Sequence, residues 1–322
     1  MSSKGIKGRS HKLQIMSRWL GNSAIQDELV GVLKDREAIW SQTSPSKDKP
    51  FWRRRTRITS KSSIQYWLDS LQYPYYSVAT FMGTNVIDWD KMPIQPPPLR
   101  TTKERKVEHK EAWDSYLTPK GCAELGLDWE SIWVGKSMLF DFDHRELPML
   151  AFDKALKTAN YLADELSCSP MMVFSGSKGF HVHLSPDEAS MVADCTISDF
   201  SDKKDPLRDL GKHYGSVVET IAKDATKMKF PIEDRSSNFR QGIVRCPYSI
   251  HPKTGQVVYP LDMRDIENIE GLDEGAGILD IAKRLHAWDI PNQSSSSLEG
   301  YDLTYITPEA RCIGRGMPAF KI

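Results

Sequence analysis

The sequence predicts an α/β fold of mixed, α+β character, and three observations carry that prediction. Strand and helix signals interleave without strict βαβ alternation. A chain of 322 residues suits two domains of ~150 residues each or one large α/β unit. Apolar residues make up 39% and charged residues 27% of the chain, which is globular rather than disordered composition. There is no internal repeat.

Taken in order, residues 1–19 read as a basic flexible arm, and residues 20–290 as the body of the protein. Ile25, Leu29, Val32 and Leu33 space one apolar face for a helix from Ser23 to Trp40. Ser41 to Pro50 is a polar, Pro-bearing loop, followed by Phe51-Trp52-Arg53-Arg54-Arg55-Thr56-Arg57. A short helix spans Ser63 to Leu71, and Tyr75 to Phe81 is a strand. Prolines at 93, 96, 97 and 98 break the chain before a mixed-charge helix from about Thr102 to Tyr116. Trp133 to Asp143 reads as a strand, Pro148 to Leu166 as a helix and Met171 to Ser175 as a strand. Gly176 to Gly179 makes a turn, and Phe180 to Leu184 is again extended. A helix over Leu207–Lys227, a loop through Asp234, and strands near Gly242–Arg245 and Val257–Tyr259 follow. Ile278, Ile281, Ala282, Leu285 and Trp288 stripe a last helix over 275–289. Residues 291–322 form a Ser-rich linker and tail.

Several function classes are disfavoured by composition. No run of about 18 apolar residues predicts a membrane span, and the N-terminus lacks the apolar segment of a secretory signal. The cysteines Cys122, Cys168, Cys195, Cys246 and Cys312 are scattered and form no C-x-x-C pair. A reducing compartment is therefore expected, without a disulfide scaffold or structural zinc. Net charge is zero, yet residues 1–61 hold 14 Lys/Arg against 5 Asp/Glu. That asymmetry points to a polyanion partner for the basic segment, or to a solvated basic tail.

Three segments carry candidate chemistry. In Phe140-Asp141-Phe142-Asp143, period-2 alternation puts both acids on one face, about 7 Å apart at the backbone, and both phenylalanines on the other. Two such acids are able to converge on one or two cations, or simply mark a strand end that meets solvent. Ser175-Gly176-Ser177-Lys178-Gly179-Phe180-His181-Val182-His183 sets two glycines, a lysine and a histidine in a turn suited to phosphate, or an ordinary hairpin. It is not a Walker A loop, and His181, nearer the turn, is preferred to His183. Asp234, in Phe230-Pro231-Ile232-Glu233-Asp234, offers a third acid, and Arg245 and His251 offer further donors to a polyanion. Together these residues are the inventory a two-metal nucleotidyltransferase needs.

In this combination the sequence resembles the catalytic small subunit of archaeal and eukaryotic DNA primases, in the archaeo-eukaryotic primase superfamily. Trp133-Val-Gly-Lys-Ser-Met-Leu-Phe-Asp141-Phe-Asp143 resembles that family's first motif, and Ser175-Gly-Ser-Lys-Gly-Phe-His181 its second. Pro231-Ile-Glu-Asp234 resembles the third in its Pro and Asp. Arg245-Cys-Pro-Tyr-Ser-Ile-His251-Pro-Lys-Thr-Gly255 resembles the segment that follows. Upstream, Tyr75-Tyr76-Ser77 and Arg36-Glu37 fall where the family has similar runs, so collinear similarity extends from about residue 20 to 262.

The resemblance implies a primase catalytic core with a mixed β-sheet flanked by helices. Asp141, Asp143 and Asp234 would bind two Mg²⁺ or Mn²⁺ ions. Ser175, Lys178 and His181 would cradle the triphosphate of an NTP or dNTP, with Arg245 and His251 on phosphate and sugar. The implied activity is DNA-dependent primer synthesis on single-stranded DNA for replication, with extension of primers by dNTPs as a further capacity. A repair polymerase of the same superfamily and a non-catalytic nucleic-acid-binding module are the competing readings. A large primase subunit or replicative helicase is the implied partner. The setting is the cytoplasm at the nucleoid or replication fork, or the nucleus in a eukaryote.

Departures from the family pattern also carry information. Only 31 residues separate Asp143 from Ser175, with Cys168 as their sole cysteine, so no zinc module is expected there. Ser177 stands where the family usually has Arg, and residues 84–128 look like an insertion. Single-stranded DNA is expected to meet Arg53, Arg54, Arg55, Arg57 and Trp52, beside Phe51 and Trp67, since cations interleaved with aromatic rings suit unpaired bases; a solvated face is the plain alternative.

Overall fold

The structure, a computed structural model, describes residues 20–21, 23–43, 51–70, 76–92, 111, 113–144, 147–229, 231–232, 238–239, 242–251 and 257–261. For 24, 40–43, 51–56, 66–70 and 76–79 the backbone alone is described. The basic arm, Asp234, the helix expected over 275–289 and the tail 291–322 lie outside the described residues, as do residues 93–110 of the expected insertion.

Helix α1 (Ser23–Leu33) buries Ile25, Leu29, Val32 and Leu33, the stripe expected of it. The helix expected to reach Trp40 instead ends at Leu33, and Asp35, at φ 56°, turns the chain into strand β1 (Arg36–Thr43). Ala38 and Ile39 are adjacent and both fully buried. That suits a strand covered on both faces, and local sequence does not separate it from a buried helical turn. The arginine-rich run forms β2 (Phe51–Thr56), followed by α2 (Lys61–Ser70) and the long β3 (Tyr76–Ile87). After a 3₁₀ turn (Trp89–Lys91), two short helices follow, α3 (Pro119–Glu124) and α4 (Trp129–Ile132). Both start at capped positions, with the Thr118 and Asp128 side chains accepting from Gly121 and Glu130 amides.

The single strand expected over Trp133–Asp143 is two, β4 (Trp133–Lys136) and β5 (Met138–Asp143), lying in different sheets. Ser137 is the crossing point, its N–H bonded to the Thr84 carbonyl at 2.8 Å and its Oγ accepting from buried Arg36 at 2.7 Å. Next come α5 (Pro148–Asp164), β6 (Met171–Phe174) and β7 (Gly179–Leu184). Helix α6 (Pro186–Ala193) was not expected, although Ser185-Pro186-Asp187-Glu188 spells its capping box, and Ser185 and Glu188 form that box. After a second 3₁₀ turn (Ser198–Phe200), α7 (Pro206–Thr226) lays Leu207, Leu210, Tyr214, Val218 and Ile221 on the core. Strands β8 (Ile243–Arg245) and β9 (Tyr259–Pro260) complete the described elements.

The α/β class is as expected, but the strands form two sheets and every described pairing is antiparallel, in place of one mixed sheet. In the first sheet, β3 is central. One edge takes β1, with β2 beyond it, and the other edge is shared end to end by β8 at Phe81–Gly83 and β4 at Asn85–Ile87. The second sheet runs β5–β7–β6–β9. Phe140, Phe142, Phe174 and Phe180 point to its buried side, and Phe152 of α5 meets Phe180 edge-on at 5.4 Å. Burying each such ring stabilises the fold by roughly 1.5–3 kcal/mol, so β5 is anchored by its phenylalanines while its other face stays available.

Candidate active site

That other face carries the acids. In the β5–β7 ladder, Asp141 stands opposite His181, Asp143 opposite Gly179, and Leu139 opposite His183. Leu139 directs its backbone N–H and C=O away from β7, to the side chain of Asn238. These are therefore the non-hydrogen-bonded pairs of the ladder, in which opposed side chains come closest. The His181 Nε2 accordingly lies 3.4 Å from Asp141 Oδ1. Both acid side chains stay partly exposed, at 19% for Asp141 and 23% for Asp143.

The turn after β6 closes over Asp143. Ser175 N–H donates to the Gly179 carbonyl at 3.0 Å, and Gly179 N–H donates to Ser175 Oγ at 3.2 Å. Gly176 adopts φ 78°, where a side chain would be strained. Lys178 Nζ forms an ion pair with Asp143, and the Lys178 carbonyl accepts from His144 N–H at 3.1 Å. The loop thus presents its cation to the same carboxylate that a divalent ion would use.

Arg245 arrives from the other sheet. Strand β8 pairs it with Phe81 of β3, and its guanidinium lies 5.0 Å from that ring's centroid. Burial lowers its pKa to about 10, while the charges of Asp143 and Asp141 act to raise it, which puts both acids within its electrostatic reach. The His181 pKa falls to about 4, from burial first, opposed by Asp143 and reinforced by Arg245. His181 is therefore a neutral imidazole at pH 7. His183 is lowered well below the usual histidine range by burial, with His181 and Arg36 adding to the effect.

Buried nitrogens without a partner remain here. His181 Nδ1, His183 Nε2 and Arg245 Nη1 are buried without a hydrogen-bond partner among the described residues. An anionic ligand with several oxygens would satisfy such groups. The acids fit a divalent cation in kind and in shared face, although no group of three or more His, Cys, Asp or Glu side chains gathers as a metal cluster among the described residues.

The structure thus brings together Asp141 and Asp143 of β5, Ser175, Lys178 and His181 of the β6–β7 hairpin, and Arg245 of β8, from three separate segments. His251 is buried next to the Ile250–Val257 bridge. Asp234 lies outside the described residues, as do the side chains of Trp52, Arg53, Arg54 and Arg55, whose backbone forms β2. Arg57 donates to Asp90 at 2.7 Å on the surface.

Sequence reasoning missed a buried polar layer behind the site. Arg36, matched only as part of a motif, donates to the Gly83 and Thr84 carbonyls and to Ser137. Lys136, fully buried, donates to Thr84 Oγ1 at 2.8 Å, Asn85 Oδ1 at 3.0 Å and the Phe239 carbonyl at 3.1 Å. Burial, with Arg36 nearby, lowers the Lys136 pKa to about 7. The local signal for this layer is a lysine at the end of a largely buried strand.

No protein-family model matches the chain. Its sequence is similar to the DNA primase small subunit of Pyrobaculum aerophilum, 26% identical over 170 residues, or 42% of this chain and 54% of that protein. The corresponding subunit of Pyrobaculum calidifontis is 25% identical over 197 residues, or 50% of this chain and 59% of that protein. The chain spans little more than half the length of the curated relatives it matches. Among solved structures, the polymerase domain of Mycobacterium tuberculosis Ligase D in complex with DNA has a TM-score of 0.46 and 13% identity, covering 85% of this chain and 87% of that one.

Proposed function

Sequence similarity makes this chain a relative of the archaeo-eukaryotic primase superfamily, and on that premise we propose that it is a DNA-dependent primase. In this reading it is a nucleotidyltransferase that makes short primers on single-stranded DNA from NTPs or dNTPs. The observation that carries the reading is the convergence of two carboxylates on β5 with Arg245 from the opposite sheet.

In this reading Asp141 and Asp143, with Asp234, would hold two Mg²⁺ or Mn²⁺ ions, whose chemistry would be to activate an attacking hydroxyl and neutralise charge on a triphosphate. Ser175, Lys178 and His181 hold the triphosphate, and the buried Arg245 Nη1 donates to one of its oxygens. Lys178, paired with Asp143 in the structure, would turn to phosphate, and neutral His181 would donate a ring N–H. His251 completes the contacts to phosphate and sugar. The 3′-oxygen joins the α-phosphorus, pyrophosphate leaves, and the hydroxyl proton passes to solvent. The arginine-rich β2 lies along the template strand. The protein acts at the replication fork, with a large primase subunit or helicase as partner.

The test is de novo synthesis on single-stranded DNA with labelled NTPs or dNTPs in Mg²⁺ and in Mn²⁺, beside Mn²⁺ binding followed by electron paramagnetic resonance. Short products and Mn²⁺ binding that both disappear in the Asp141→Ala/Asp143→Ala double variant support the reading. Extension of a supplied primer without initiation narrows it to a polymerase, and DNA binding without either activity or Mn²⁺ binding overturns it.

A further inference from the structure

We infer that Asn238 is a positioning residue for the nucleotide site: with Lys136, it sets the separation between the acids of β5 and Arg245. The inference rests on the primase reading above.

The geometry begins at the open edge of β5. Leu139 N–H donates to Asn238 Oδ1 at 2.9 Å, and Asn238 Nδ2 donates to the Leu139 carbonyl at 2.6 Å. One side-chain amide thereby makes the two bonds that a neighbouring strand would make. Asn238 is fully buried, and Leu139 is two residues before Asp141 on the same face.

The same short segment is held on the first sheet. The Phe239 carbonyl accepts from Lys136 Nζ at 3.1 Å and from Gly242 N–H at 2.7 Å. The Gly242 carbonyl accepts from Thr84 N–H at 2.9 Å and Thr84 Oγ1 at 3.2 Å. Three residues on, Arg245 pairs with Phe81. The chain from Asn238 to Arg245 is therefore fastened at one end to the strand that bears the acids and at the other to the sheet that bears the arginine. Helix α7 backs it closely, since a Cβ on Gly211 would lie 2.5 Å from the Asn238 carbonyl oxygen.

Thr84 ties the start of β5 to Gly242 through Ser137, and the Asn238 clasp adds a second tie two residues before Asp141; without it the gap that a triphosphate must bridge is free to widen. A purely structural amide would lower stability and leave the coupling between distant site residues untouched.

The test is a double-mutant cycle between Asn238→Ala and Arg245→Ala, read as equilibrium binding of a fluorescent non-hydrolysable nucleotide in Mn²⁺, with thermal midpoints recorded alongside. Asn238→Ala is expected to weaken nucleotide binding about tenfold, and to add little once Arg245 is already alanine. Lys136→Met, which removes the hold on Phe239 without stranding a charge, is expected to show the same coupling, and it serves if the asparagine variant does not fold. Wild-type nucleotide binding that survives in both variants, or effects that simply add to those of Arg245→Ala, overturns the positioning role and leaves the primase reading standing. If the wild-type chain binds no nucleotide in Mn²⁺, the primase reading itself fails, and the positioning role falls with it.

Discussion

Gly179 lies directly across the β5–β7 ladder from Asp143, and a Cβ at that position would overlap both the Asp143 Oδ1 and the Phe142 carbonyl oxygen. The acid folds over the one residue that has no side chain, and the turn that supplies Lys178 depends on that closeness. Glycine is required here by close approach rather than by its backbone angle. Gly179→Ala is expected to push β5 from β7 and lower stability by about 1–3 kcal/mol, as overpacking usually does. A thermal midpoint and a Mn²⁺ titration check this: both fall if Asp143 is displaced, whereas a change in the midpoint alone would show that the acid adapts.

The two carboxylates have different partners. Asp143 carries the Lys178 ion pair, and Asp141 faces a neutral imidazole. Asp141→Asn and Asp143→Asn are each expected to reduce primer synthesis by about 10²–10³, the usual loss for one group that stabilises developing charge. Asp143→Asn should also free Lys178, which is visible as tighter binding of inorganic triphosphate without metal.

His181 and His183 are buried in the neutral state, and both have pKa values below the ordinary 6.5. For His181, the unfolded chain takes up a proton as pH falls through 6.5, while the folded protein does so only near 4. Stability contributed by the neutral imidazole is thus present above pH 6.5 and declines between pH 6.5 and 4, at about 1.4 kcal/mol per pH unit for each such group. Urea midpoints from pH 7.5 to 4.5 are expected to fall, and His181→Asn should make that fall shallower. An equal slope in the variant would mean that His181 titrates normally.

Lys136 leads to a slope at the other end of the scale. Its pKa drops from 10.5 to about 7, so the folded protein releases its proton well before the unfolded chain does. Stability is then greatest above pH 10.5 and is lost as pH falls toward 7. Lys136→Met is expected to abolish this rise of stability with pH between 7 and 10, as followed by thermal melts.

The core of the site was legible because its spacing is local. Asp141 and Asp143 sit two apart on an apolar strand, and alternation alone places them on one face with the phenylalanines behind. The Gly-Ser-Lys-Gly turn and His181 were legible for the same reason, since a hairpin places its own neighbours. Helix α6 was legible too, through its Ser185–Glu188 box, and was overlooked.

Other features depended on contacts that no local pattern encodes. Trp133 to Asp143 reads as one extended run with no proline to divide it, and only the demands of two sheets make Ser137 the crossing point, held by Arg36 and by Thr84. Helix α1 stops at Leu33 and the chain turns at Asp35 into a strand in which adjacent Ala38 and Ile39 are both buried, a pattern that local sequence does not separate from a buried helical turn. Asn238 reads as one more polar loop residue until Leu139, 99 positions away, offers it a strand edge.

Residue order alone, then, shows which residues carry charge, which face Asp141 and Asp143 share, and the similarity of the chain to primase small subunits. Only the folded chain brings Arg245, on the other sheet, within electrostatic reach of Asp141 and Asp143, and sets a buried lysine and asparagine on the segment that leads to it. The physical reason is range. Alternation and capping act over a few residues and leave their mark in the order of the amino acids. The distance between two sheets is set by packing and hydrogen bonds between segments a hundred residues apart, which only the folded chain brings together.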